Sequence, residues 1–275
     1  MHATTASTAP AGRAARFLDS PVVGMSPWIV FSLLVGPGRY ELSVGLALAL
    51  AVLLVVAGRI RDHGGTWKIL EVSDVVFFAA LAVIGVFASA GTHAWLETYA
   101  GEVSNIALTL IAFGSMAVRL PFTLQYARES TDPAHWHAPA FLRANYVITG
   151  VWGLAFLVAA IAGAYGDLVL RNPHNLWTGW IIQIVAIILA LRFTEWYREV
   201  LRARRGGGEE PPVRALLAPV VGVLIPLGIV VLAFDAAATW AGVVLIVLGV
   251  VLARALRHDA AFAGEERRRS GRRLR

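Results

Sequence analysis

The chain has 275 residues, of which 57% are hydrophobic and 15% charged, with a mean hydropathy of +0.66, a formal net charge of +6 and no cysteine. That is too apolar for a soluble domain, so lipid must be the main solvent for most of the chain. The lack of cysteine excludes disulfides, thiolate metal sites, iron–sulfur clusters and cysteine nucleophiles. The apolar residues come in blocks, each close to what a helix needs to cross about 30 Å of hydrocarbon at about 1.5 Å per residue. Alternation is missing, and only a closed barrel could satisfy strand hydrogen bonds in lipid. The expected fold is an all-α, polytopic transmembrane helical bundle of about eight spans.

In chain order, residues 1–20 read as a disordered start. The first span falls at 22–36, is short and carries Pro27. It follows Arg13 and Arg16 as a signal peptide would, but no small-x-small cleavage site comes after it. Instead the turn Gly36-Pro37-Gly38 leads straight into a second span at 42–58. Spans at 75–91, 104–118 and 147–165 complete a five-span region, 21–167. A sixth span at 176–191 lies within 168–205. Gly206-Gly207-Gly208-Glu209-Glu210-Pro211-Pro212 is a linker over 206–212. Spans at 215–234 and 237–254 form a closing helical pair within 213–256, and 257–275 is a basic tail.

Basic residues in short loops are held on the cytoplasmic side. With eight spans, all of the 24 Lys and Arg residues except Arg39 and Arg171 fall on one face, and dropping or adding a span destroys that pattern. Both termini are therefore expected to be cytoplasmic. The densest cluster, Arg267, Arg268, Arg269, Arg272 and Arg273, lies close to the last span, where anionic headgroups attract each charge by roughly 1 kcal/mol. Lipid contact is the plainer reading of this tail than nucleic acid.

Ionisable groups within a span are costly and usually functional. Here they are few, and Glu71, Asp74, Arg119, Arg192, Glu195 and Asp235 all lie near span ends, within snorkelling reach of headgroups. One reading makes them interfacial anchors; the sharper one pairs Asp74 with Arg119 across a cavity. Asn105, Ser115 and Gln183 are the polar neutrals inside spans, suited to interhelical hydrogen bonds. The histidines fall in loops, not deep in helices as haem ligation needs, and His135-Trp136-His137 lacks a third ligand at a recognised spacing. No GxSxG, HExxH, P-loop or GxGxxG occurs, so neither an enzyme nor a cofactor is expected. Ala155, Ala159 and Gly163, and Gly85 with Ser89, mark seams on which helices approach closely or copies of the chain associate. Pro219 and Pro226 should kink the seventh span. Trp28, Trp67, Trp95, Trp177, Trp180, Trp196 and Trp240 cluster at span ends as an aromatic belt.

The connection 119–143 is the most distinctive stretch. Pro121 can open a helix, and Phe122 and Tyr126 then share a face while Arg128 and Glu129 point elsewhere. An amphipathic helix on the inner membrane surface is expected, with Phe122, Tyr126, Arg128, Glu129, Trp136, Arg143 and Asn145 as a partner surface.

Pro27-Trp28-Ile29-Val30-Phe31, the basic turn ending in Lys68, Trp95-Leu96, Asn105, Pro121-Phe122, Trp136, Asn145 and Trp152 together resemble the bacterial intracellular septation protein A family over residues 27 to 165. The chain departs from it by three added spans and the basic tail. The resemblance implies a multi-pass inner-membrane protein connected with envelope synthesis and division, acting through envelope-assembly partners and without catalytic residues. The alternative is a small-molecule transporter or permease with a path along the seventh span. A lipid-acting enzyme would need Glu71, Asp74 and His63 to converge at one surface.

Overall fold

The computed structural model describes residues 21–61, 67–173, 175–233 and 239–255, and among these the chain is helical without a strand. A single turn, Pro21–Gly24, precedes α1 (Ser26–Leu34), α2 (Tyr40–Arg61), α3 (Ile69–Phe87) and α4 (Ala90–Ala117). The short α5 (Phe122–Glu129) and a 3-10 turn, Pro133–His135, lead to α6 (Pro139–Leu168). A wide π turn, Trp177–Ile181, opens α7 (Ile182–Gly206), which is followed by α8 (Arg214–Ala233) and α9 (Thr239–Ala255). The basic tail, residues 1–20, His63, His174 and Asp235 lie outside the described residues.

Among the described residues six helices are long and apolar enough to cross a membrane: α2, α3, α4, α6, α7 with its π turn, and α8. Val22–Leu34 and Thr239–Ala255 are apolar but shorter. At about 1.5 Å per residue they reach about 20 Å and about 25 Å, against about 30 Å of hydrocarbon. Large apolar side chains such as Ile60, Val76, Phe87, Leu110 and Ile161 are exposed, as lipid-facing positions require. Two helices run well beyond their apolar blocks, α4 to 28 residues and α6 to 30. In α4 the added turns carry Thr92, Glu97, Thr98 and Glu102, polar residues that a helix tolerates and a hydropathy window does not count. His93 therefore sits in the first turn of α4, its Nε2 2.9 Å from the Gly85 carbonyl and its Nδ1 3.4 Å from Glu41.

By compactness the chain divides into a unit ending at Ala164 and a second beginning at Tyr165. In the first, Trp28, Phe31, Phe77 and Phe78 stack between α1 and α3 with ring centroids 4.5–5.3 Å apart. Trp28 is thus an internal side chain and not part of a lipid-facing belt. Tyr40 of α2 fits against Gly85, where a Cβ would lie 2.8 Å from its ring, and its hydroxyl donates to Leu81 O at 2.9 Å. Ala155 and Ala159 are buried, and at Gly163 the missing side chain leaves the space taken by the Glu102 carboxylate.

The second unit is knit differently. Ile181, Val231 and Leu245 form its buried centre, with Trp177, Val185, Leu224 and Leu227 packed around them. Gly228 and Gly242 meet backbone to backbone: a Cβ on Gly228 would lie 2.7 Å from the Gly242 carbonyl. The helix α8 runs unbroken through positions 219 and 226. The segment after α7 turns back on it. Gly207 takes a left-handed φ of 64° to end the helix, Arg204 holds Glu210 at 2.8 and 3.1 Å, and Trp196 donates to Pro211 O at 3.0 Å.

Candidate functional site

The polar groups of the first unit concentrate where α1, α3 and α5 meet. The chain's one lysine, Lys68, stands just before α3 and is only 5% exposed. Its ammonium lies 2.8 Å from Glu129 and 3.2 Å from Glu71, and 4.8 Å from the centre of the Tyr126 ring. Burial alone would lower the Lys68 pKa, but the bonds and charges of Glu129 and Glu71 outweigh it and hold the ammonium above its ordinary value.

The helix α3 starts without a cap of its own. Gln125 of α5 supplies one: its Oε1 accepts from Ile69 N at 2.6 Å and its Nε2 donates to Trp67 O at 2.9 Å. A helix N-terminus leaves amide groups unsatisfied, and a side-chain oxygen from elsewhere serves as well as a local one. Arg59 lies over the Trp67 ring at 4.5 Å.

One turn into α3, Asp74 is fully buried, and the Trp28 indole donates to its Oδ1 at 2.6 Å. Its second oxygen, Oδ2, has no hydrogen-bond partner. The Tyr126 hydroxyl is also buried without a partner, set against Gly24 where a Cβ would lie 2.2 Å away. Glu71 approaches this hydroxyl without completing a hydrogen bond. Burial pushes the Tyr126 phenol well above its ordinary range, and the charges of Glu71, Asp74 and Glu129 push the same way.

The other face of α5 is tied down as firmly. Ser115 Oγ accepts from Phe122 N at 3.1 Å. Thr123 reaches α6, 2.8 Å from Thr149 Oγ1 and donating to Asn145 O and Oδ1 at 3.2 and 3.3 Å. Phe122, Thr123, Leu124 and Tyr126 are all buried.

These placements correct two sequence expectations. Asp74 and Arg119 do not pair. Trp28 takes the carboxylate, while Arg119 is exposed in the left-handed turn that ends α4, where Leu120 N bonds Ser115 O at 2.8 Å and Arg119 N bonds Met116 O at 3.0 Å. Nor does α5 present Phe122 and Tyr126 as an outward face, because both are buried in a helix whose groups α3, α4 and α6 satisfy. Phe122, Tyr126 and Asn145 are core residues, and Glu129 is engaged with Lys68.

What remains outside is the loop that follows α5, and it is built. Arg128 lies over the Trp136 ring at 5.5 Å, Trp136 donates to Thr131 O at 2.8 Å, and Asp132 accepts from Ala134 N at 2.8 Å. Arg143 is exposed beyond it. Asn105 is buried in α4, and Gln183 donates to Thr178 O at 3.2 Å across the π turn of the second unit. From the sequence Lys68 reads only as the end of a basic turn and Trp28 as an interfacial aromatic, and Gln125, Thr123 and Thr149 pass unnoticed. A lone lysine in a chain that otherwise uses arginine was the available signal.

Among the described residues no group of three or more His, Asp or Glu side chains is placed to hold a metal ion. No family model, curated protein or solved structure matches the chain.

Proposed function

We propose that the chain is a non-enzymatic, multi-pass protein of a bacterial inner membrane, of the septation protein A-like kind, that acts in cell-envelope processes through contacts on its cytoplasmic face. The observation that supports this is the latch on α5. Lys68, Glu129 and Gln125 fix the helix to α3, and the loop from Ser130 to Ala140 is thereby held in one form as a surface another protein can read. In this reading Val22–Leu34 and Thr239–Ala255 also cross, giving eight spans, and the one-sided distribution of Lys and Arg puts both ends inside. Arg267, Arg268, Arg269, Arg272 and Arg273 then rest on anionic headgroups.

A photo-crosslinking residue at Ala134, in the full chain at native expression, is expected to capture envelope-assembly proteins. A clean negative counts heavily against the reading. A reporter fused after Arg275 is expected to be active inside the cytoplasm only, and activity outside removes the eight-span topology. The second reading, a small-molecule transporter or permease, draws on Asp74, a carboxylate buried in a span with one oxygen unclaimed. An altered uptake profile in a deletion strain supports it; an unchanged one sets it aside.

A further inference from the structure

We propose that Asp74 is a reversible proton-binding site, built where α1, α3 and α5 meet, and that its occupancy is sensed by Tyr126 of the latched helix. This does not depend on either functional reading above.

Two buried polar atoms, one on α3 and one on α5, are left open. Asp74 Oδ2 is an acceptor with no donor, and Tyr126 Oη, which Glu71 approaches, completes no hydrogen bond. Both side chains are more than nine-tenths buried, Asp74 at 0% exposure and Tyr126 at 2%. Neither can turn to solvent. A carboxylate deprived of water is satisfied in two ways: it takes up a proton, or a donor moves onto its free oxygen.

The groups around the pair decide between ligands. From α1 comes the Trp28 N–H, a donor that repels a metal cation and suits a carboxyl oxygen in either protonation state. From the start of α3 come Glu71 and, just before the helix, Lys68, and from α5 Tyr126 and Glu129, with Lys68 already bonded to both glutamates. On the α2 side Gly58 borders Glu71, and Arg59 is stacked on Trp67. Hard cations require about six or more oxygens. Two open oxygens and an indole N–H fall short, whereas a proton needs one lone pair.

The two states differ at α5. With Asp74 ionised, the Tyr126 O–H has two carboxylates of α3 to turn toward, Glu71 and Asp74. With the proton on Oδ2, Asp74 becomes the donor and the Tyr126 oxygen an acceptor. The step is simple proton uptake from water, carboxylate to carboxylic acid. Its sensor is a ring packed at 4.8 Å from the ammonium that latches α5.

The test is infrared difference spectroscopy of the full chain in lipid nanodiscs, titrated over the pH range in which it stays folded. The expected result is a carbonyl band of a protonated buried carboxyl that titrates in the wild type and is lost in Asp74→Asn. Tyr126→Phe, which keeps the ring over Lys68, is expected to displace the midpoint of that band. A band that survives in Asp74→Asn, or that does not titrate at all, overturns the proposal. If Asp74→Asn does not assemble, Tyr126→Phe decides alone: a displaced midpoint supports the site and an unmoved one overturns it.

Discussion

The unit up to Ala164 and the unit from Tyr165 on join apolar helices by different means. Between helices in lipid the hydrophobic effect supplies little, so close packing and polar bonds must act. The first unit uses polar bonds: Lys68, Asp74, Ser115, Thr123, Asn145 and Thr149 are all buried, and most bridge one helix to another. In the second, Thr178 is the only polar side chain among the described buried residues, and glycine backbones touch instead. Directional bonds specify one arrangement and tolerate no lost partner. Shape alone tolerates exchange of aliphatic residues but not added volume.

The polar assembly of the first unit depends most on Lys68. Lys68→Met fills the same space but strips the ammonium from between Glu71 and Glu129, both partly exposed, and is expected to destabilise the protein by about 2–3 kcal/mol, read by thermal unfolding in detergent. An effect near zero would make the charged latch ornamental. In the second unit, Gly228→Ala drives a methyl into the Gly242 carbonyl and is expected to cost about 1–3 kcal/mol. Gly222→Ala, in the same helix with nothing within 4 Å of the added carbon, should be close to neutral. If both behave alike, backbone contact is not what holds α8 to α9.

A smaller effect is expected at the cap. Gln125→Ala frees Ile69 N and should lower stability by about 1 kcal/mol, with faster hydrogen exchange confined to the first turn of α3. The smallest effect near neutrality is that of pH. Because the Lys68 pKa is raised in the folded protein, its contribution is complete below the ordinary lysine value of 10.5 and is lost only as pH rises through the higher folded value. A wild-type melting temperature that declines at high pH, and a Lys68→Met variant with a shallower decline to which the buried Tyr126 phenol still contributes, are expected.

The transmembrane helices were legible because an apolar block reports its solvent directly. Helix ends were less so: α4 and α6 continue through polar turns that hydropathy does not see. Asp74 stood out as a charge in a span, yet its partner did not. Trp28 lies 46 residues away and shares its type with the interfacial tryptophans. The segment after Pro121 was misplaced for a related reason. Phe122 and Tyr126 lie four residues apart and suggest one apolar face, but the burial of Thr123 depends on Asn145 and Thr149, 22 and 26 residues further on. Hydrogen bonds of that reach leave no periodic trace.

The Gln125 cap has a consequence for the order of synthesis. Ile69 and the side chain that satisfies its amide are 56 residues apart. A chain made from its N-terminus therefore offers α3 to the bilayer with its first turn unfinished. That end stays open while α4 is being threaded, and it closes only when α5 emerges and docks. The first turn of the third helix is thus finished only by residues made after the fourth.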